Sequence, residues 1–176
     1  MSDFPLRIIV DTREQAPYLF EDYDVTVERA ALPTADYQLA GFRVVAERKS
    51  MGDLLNSISN DRIRFEKELE RIQAYDFRCV VVEGNFSDLA SGNFSSHMNP
   101  HSAAQTVAAY SVRYAPFFFC GSRQHSEYMV YSLFRQYLRS IVKRYELYQK
   151  EQNPVVTLEA VEHAPKGQSC LTALNS

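Results

Sequence analysis

The chain has 176 residues, 45% of them hydrophobic, and a formal net charge of −3, which fits one folded domain with an ordinary core plus a short tail. No apolar run approaches the ~18 residues of a membrane span, and Met1-Ser2-Asp3-Phe4-Pro5 lacks the basic start and apolar centre of a signal peptide. The acidic balance argues against a nonspecific nucleic-acid coat protein, and Cys79, Cys120 and Cys170, widely separated and without a C-x-x-C pair, read as reduced thiols of a cytosolic compartment.

Leu6 to Val10 reads as a short buried strand that delivers Asp11, Arg13 and Glu14 at its C-terminal end, the edge where open α/β sheets bind ligands. Asp11 by itself fits a turn cap as well as a site, and Arg13 fits a partner of a neighbouring acid as well as a phosphate contact. After an aromatic and acidic loop over 17–24, Tyr23 to Arg29 alternates with Val25 and Val27 on one face, the pattern of a half-buried strand. Asp36 follows Pro33 and reads either as a turn aspartate or as a site acid. Ala40-Gly41 then turns the chain, so Tyr37–Leu39 and Phe42–Ala46 form a hairpin that brings Asp36 level with Glu47.

The second arm of that hairpin becomes abruptly charged at Glu47-Arg48-Lys49. If the strand continues, Glu47 and Lys49 project to one side and Arg48 to the other. A carboxylate that binds a hard cation through oxygen, beside an amine that steadies a phosphate or an attacking water, is the layout of metal-dependent phosphodiester cleavage. Asp53 follows in Ser50-Met-Gly-Asp53, ahead of Leu54, Leu55 and Ile58. It is both a candidate site acid and a candidate helix cap.

Asn60 to Ile72 is a helix with Phe65, Leu69 and Ile72 on its apolar stripe; its charged positions read as a solvated face, with Glu66 and Glu70 set for i,i+4 pairing. Phe77 to Asn85 is the continuous apolar run of a central parallel strand, with Glu83 at its end. Phe86 to Met98, rich in Ser, Asn and Gly, reads as a mobile loop beside the site. Asn99-Pro100 starts a helix whose Ala103, Ala104, Ala108 and Ala109 suit close packing. His97 and His101 are four apart, but Pro100 lies between them and breaks the helix that a zinc pair would need. Ala115 to Cys120 is a further buried strand. Ser126 to Gln149 is the last helix, with Val130, Phe134, Tyr137, Ile141, Tyr145 and Tyr148 on one stripe and Arg135, Arg139 and Lys143 on a basic line. The stripe fits a core-facing helix or a dimer surface. Residues 1–149 are therefore expected to form the domain and 150–176 a linker or tail, with Val155 to Leu158 able to add an edge strand.

Asp36 followed by Glu47-x-Lys49 is the PD-(D/E)XK nuclease pattern. The longer run Glu47-Arg48-Lys49-x-x-x-Asp53, with Asp36 upstream and Asp11-x-Arg13-Glu14 after the first strand, resembles the XPF-type structure-specific endonuclease family over residues 6–148. The resemblance implies an α/β fold of the restriction-endonuclease-like class, a mixed central sheet flanked by helices. It implies Mg²⁺- or Mn²⁺-dependent hydrolysis of DNA, branched as flaps or forks, in repair or recombination. Catalytic roles fall on Asp11, Glu14, Asp36, Glu47, Arg48, Lys49 and Asp53. Metal ligation falls on Asp11, Asp36, Glu47 and the Arg48 carbonyl, and DNA contact on Arg13, Lys49 and Arg62, the last from Asn60-Asp61-Arg62 in place of an Asp-Gly-Arg-like element. Glu83 of Val-Glu-Gly is architectural support. Ala35 stands where the family has glycine, and an ordinary φ is expected there. A homodimer or heterodimer through the last helix, a helix-hairpin-helix partner, and a cytoplasmic, nucleoid-associated or nuclear location are implied in the same way. Alternatives are a catalytically idle DNA-binding subunit, and a junction resolvase or exonuclease of the same superfamily.

Overall fold

A computed structural model describes residues 5–152. Six strands, β1 (Leu6–Asp11), β2 (Val25–Ala30), β3 (Tyr37–Leu39), β4 (Val44–Ser50), β5 (Phe77–Glu83) and β6 (Phe117–Phe119), form one sheet in the order β2-β1-β3-β4-β5-β6. β3 is antiparallel to both β1 and β4, and the remaining neighbours are parallel. The helices are α1 (Met51–Ile58), α2 (Arg62–Ile72), α3 (Phe86–Ser91), α4 (Pro100–Arg113) and α5 (Arg123–Gln152). None is long and apolar enough to cross a membrane, among the described residues. The fold is a mixed sheet with flanking helices, the architecture the resemblance implied.

β5 explains the layering. Val80, Val81 and Val82 are all fully buried, so both faces of the central sheet are covered. On one face Val45, Val80 and Val82 pack with Leu54, Leu55 and Ile58 of α1, Phe65, Leu69 and Ile72 of α2, and Ala103, Val107 and Tyr110 of α4. On the other, Phe77 meets Tyr137 of α5, while Tyr18, Phe20 and Tyr37 form an aromatic cluster. Truncating one of the buried leucines or isoleucines of this core to alanine is worth about 2–5 kcal/mol.

Several elements differ from the sequence expectations. β2 is exposed along most of its length, with Val27 38% exposed, rather than half-buried; among the described residues it pairs only with β1. β4 starts at Val44 and runs on through the charged residues to Ser50, because its pairing with parallel β5 continues to Ser50↔Glu83. The stretch from Phe86 is not wholly a loop: α3 forms there, anchored by buried Leu89 and closed by Gly92 in the left-handed region. β6 is half-buried, as an outer strand. α5 begins earlier than expected, at Arg123. Within it Val130 and Phe134 are buried, and so is Arg135, which removes that residue from the solvated basic line; Tyr145 and Tyr148 are exposed. By internal contacts the chain divides between Tyr137 and Leu138. The possible strand at Val155 to Leu158 and most of the expected tail lie outside the described residues.

The turn before β3 carries the clearest departure. Ala35 has φ +62°, not an ordinary value, and it is buried. Asp36 is held on both sides, its N–H donating to Ala46 O at 3.2 Å and its carbonyl accepting from Asp11 N at 2.8 Å. The chain must therefore reverse at Ala35, in a region where an L side chain costs about 1–2 kcal/mol. Ala35→Gly relieves that strain but frees the unfolded chain. The expected outcome is a net gain of roughly 0.5–1 kcal/mol, read as a higher urea midpoint at unchanged slope.

Candidate active site

The elements carrying the candidate acids meet at one edge of the sheet. β1 and β4 are each antiparallel to β3, so they run in the same direction. Their C-terminal ends, Asp11 and Glu47–Ser50, therefore lie beside the start of β3, which Asp36 precedes. The pairing Tyr37↔Ala46, extended by one residue, sets Asp36 across from Glu47. Asp36 Oδ2 accepts the Arg48 N–H at 2.7 Å, so the carboxylate is tied to the hairpin's other arm. Burial first, and then the charge of Glu47, push the Asp36 carboxyl up to about 8.

Pleating sends the three residues of the charged run to opposite sides. Glu47 and Lys49 lie on the face covered by α2. Lys49 Nζ is 2.8 Å from Glu47 Oε1 and 3.9 Å from Glu68 Oε2, and 5.0 Å from the centre of the Phe65 ring. Burial raises the Glu47 pKa, and the Lys49 charge opposes that without cancelling it. For Lys49 burial disfavours the charge, but Glu47 and then Glu68 outweigh it, so its pKa is raised and it stays an ammonium.

Arg48 points to the other face. It makes a two-pronged pair with Glu83, Nε to Oε1 at 2.8 Å and Nη2 to Oε2 at 2.9 Å, and its Nη1 is 3.6 Å from Glu14 Oε1. Tyr18 OH donates to Glu83 Oε1 at 3.0 Å, and Arg123 Nη1 approaches the same oxygen at 3.3 Å. Burial alone would raise the Glu83 pKa, yet the Arg48 bonds hold it below the ordinary carboxylate value. Arg123 also donates to the carbonyls of Ala16 and Pro17, so one side chain fastens both Glu83 and the segment following Glu14.

Asp11 is buried and its oxygens are heavily used. Oδ1 accepts from Arg13 N and Nε, and Oδ2 from Arg13 Nη2 and Leu32 N, at 2.7–2.8 Å. The Arg13 bonds hold its carboxyl well below the usual range. Asp53 is exposed at the start of α1, where its N–H donates to Ser50 Oγ and its Oδ2 accepts from that hydroxyl; this is a helix cap. Arg62 turns back on α1, donating to Ile58 O at 3.2 and 3.0 Å.

Asp11, Arg13, Glu14, Asp36 and Glu47 thus line one cavity of about 190 Å³, together with Thr34, Glu68 and Arg71. Asp53 and Arg62 do not line it. Glu68, Arg71, Tyr18 and Arg123 were not singled out by sequence. Glu68 and Arg71 sit among the charges of a helix that reads as solvated, and only the packing of α2 over β4 reveals which charges face inward. Glu66, expected in an i,i+4 pair, accepts instead from Tyr110 OH. Among the described residues no three His, Cys, Asp or Glu side chains form a ready-made metal cage; the acids are spread round the cavity and held by Arg13, Arg48 and Lys49.

Residues 10–133 match the ERCC4 domain. Over 88 residues the chain is 36% identical to the 3'-flap repair endonuclease Xpf of Saccharolobus solfataricus, covering 48% of this chain and 36% of that protein. Over 87 residues it is 38% identical to a putative ATP-dependent RNA helicase of Methanocaldococcus jannaschii, covering 48% of this chain and 11% of that protein. The chain therefore spans about a third or less of the length of these curated relatives. Among solved structures, XPF from Aeropyrum pernix superimposes with a TM-score of 0.62 at 23% identity, over 74% of this chain and 60% of that one. The same protein in complex with DNA gives 0.62 at 22% identity, over 77% and 66%. At those identities the likeness is one of fold.

Asp11→Asn removes a charge on which the turn at Leu32 depends, and about 2 kcal/mol of stability is expected to go with it near neutral pH. The folded pKa of Asp11 lies below the unfolded value of about 3.9, so its stabilisation is full above that value and declines as pH falls towards the folded pKa. The stability gap between wild type and Asp11→Asn, read by urea unfolding, should therefore shrink by ~1 kcal/mol between pH 5 and pH 3.

Proposed function

The chain belongs to the ERCC4-domain family, and on that premise we propose that it is a metal-dependent endonuclease that hydrolyses phosphodiesters in branched DNA, of flap or fork form, during repair or recombination. The observation that carries the reading is the Asp36–Glu47 juxtaposition in the lining of one acidic cavity, with Lys49 Nζ paired to Glu47. The names of the relatives, a 3'-flap repair endonuclease and a structure in complex with DNA, support the substrate class.

The residues fit a hard divalent cation such as Mg²⁺ or Mn²⁺. The cavity's donors are oxygen, as such ions require, and the raised pKa values of Asp36 and Glu47 mark an excess of buried negative charge that a cation would relieve. Asp36, Glu47, the Arg48 carbonyl and Glu14 would hold it. Asp11, its oxygens already accepting four hydrogen bonds, acts by fixing Arg13 and the turn at Leu32. When bound there, the cation would acidify a water and offset charge on the phosphate.

The chain's own groups supply the rest. Lys49 remains protonated, so it is a donor and a charge, not a base; it orients the attacking water or a phosphate oxygen and stabilises charge developing as the P–O bond breaks. Arg48 and Glu83 hold the β4 end in place from the opposite face. Arg13, whose side chain is 69% exposed at the cavity, meets a neighbouring phosphate. Ser50 caps the helix that follows Lys49, and Asp53 holds the Ser50 hydroxyl in place. The exposed Tyr145, Leu147 and Tyr148 of α5 support pairing with a second chain along that helix, and a helix-hairpin-helix partner would add duplex grip.

The test is cleavage of end-labelled 3'-flap, splayed-arm, four-way-junction and linear duplex DNAs with Mg²⁺, with Mn²⁺ and with chelator. Cuts near the branch are expected with metal and none with chelator. Lys49→Ala should lower the rate by about 10²–10³ with folding and most DNA binding intact, and Glu47→Ala should abolish both cleavage and Mn²⁺ binding measured by calorimetry. Near-native cleavage by Lys49→Ala would overturn its role. DNA bound but never cut by wild type would favour an idle subunit.

A further inference from the structure

An acidic cavity repels the substrate proposed for it. A phosphodiester strand must pass carboxylates from Glu14, Asp36, Glu47 and Glu68, so cations are needed where the strand enters and leaves. Arg62, the cation that resemblance assigns to this task on α2, spends its guanidinium on Ile58 O and on Thr106 Oγ1. Two other cations of the same helix are placed differently.

Arg71 lines the cavity beside Glu68, three residues before it. That spacing allows an ion pair on a helix surface, yet Glu68 lies towards Lys49, at 3.9 Å. Among the described residues the Arg71 guanidinium has no hydrogen-bond or ion-pair partner. Lys67 is four residues earlier, hence on the same face and ~6 Å along the helix axis. Its ammonium is likewise without a partner among the described residues, and it lines a second, open hollow of about 610 Å³ with Arg62, Ile63 and Arg64. One helix thus joins the two concavities, with an unpaired cation at each.

We propose that Arg71 and Lys67 form a phosphate-binding edge along α2, holding backbone phosphates of the DNA strand that runs from the candidate active site to the second hollow. The contact is to phosphate and carries no base specificity. It rests on the reading of DNA as substrate, and it adds the path of the strand and the residues that hold it.

The experiment is fluorescence anisotropy of a fluorescein-labelled 3'-flap DNA with the full chain, in the Glu47→Ala background to prevent cutting, over a series of NaCl concentrations. Arg71→Ala and Lys67→Ala are each expected to weaken binding roughly fivefold to tenfold near 0.1 M salt and to lower the slope of log K against log salt by about 1. Arg71→Lys should keep the slope. Arg43→Ala serves as the control: it removes an exposed charge, paired with Asp76, at the other end of β4, and it should leave the slope unchanged. Binding by Arg71→Ala and Lys67→Ala equal to the parent at every salt concentration would overturn the proposal. So would an equal loss in Arg43→Ala, which would reduce the effect to net charge. Wild-type cleavage, measured separately, keeps the two readings apart. Cleavage with an unaltered salt slope removes this edge and leaves the nuclease. The expected slope change without cleavage keeps the edge and removes the nuclease.

Discussion

The register of one short hairpin governs this site. β3 has three residues, and its pairing with β4 is what puts Asp36 across from Glu47. A slip of one residue would turn Glu47 and Lys49 to the face of Arg48. The register is held by burial of Tyr37, Leu39, Val45 and Ala46, by the Asp36–Ala46 and Asp11–Asp36 main-chain bonds, and by the Arg48 N–H on Asp36. Two carboxylates are thereby kept near each other in a poorly hydrated place, at a cost that their raised pKa values record. A strained Ala35 belongs to the same arrangement, since the chain must reverse there to deliver Asp36 to the edge.

The pleat of β4 then separates two kinds of chemistry. On the face towards α2, Glu47 and Lys49 meet Glu68, and the group is short of cations for its acids. On the other face Arg48, Glu83 and Arg123 satisfy one another in a network of paired charges, and Arg48 also reaches Glu14, which lines the cavity. The second set is built for rigidity, because a guanidinium held by a carboxylate at two points has little freedom. The first is built to receive something, because its negative charge is only partly balanced. Neighbouring residues of one strand thus take opposite roles for a geometric reason, and not through any difference in how strongly they are charged.

Much of the fold was legible in the order of residues. Apolar runs marked β1, β4 and β5, Ser50 and Asn99 marked helix starts, and Ala40-Gly41 marked the hairpin turn, with Gly41 at φ +79°. That Asp11, Glu14, Asp36 and Glu47 would gather at one sheet edge was legible because each follows an apolar strand or precedes one. What misled was local signal without context. Val25 and Val27 alternate as in a half-buried strand, yet β2 stands at the sheet's edge. The polar stretch from Phe86 reads as loop, yet Leu89 docks and a short helix forms.

By itself the sequence determined the periodicities, the strand-end placement of the acids and the Glu47-Arg48-Lys49 alternation, because these depend only on residues near one another in the chain. Which charges of α2 face the cavity, that Asp11 also accepts from Leu32 N, and that Arg123 reaches Glu83 and the Ala16–Pro17 carbonyls were decided only by the tertiary structure. The last three contacts join residues 21, 40 and 107 positions apart. Their partners are chosen by how helices and loops pack over the sheet, and no local pattern of residues carries that information.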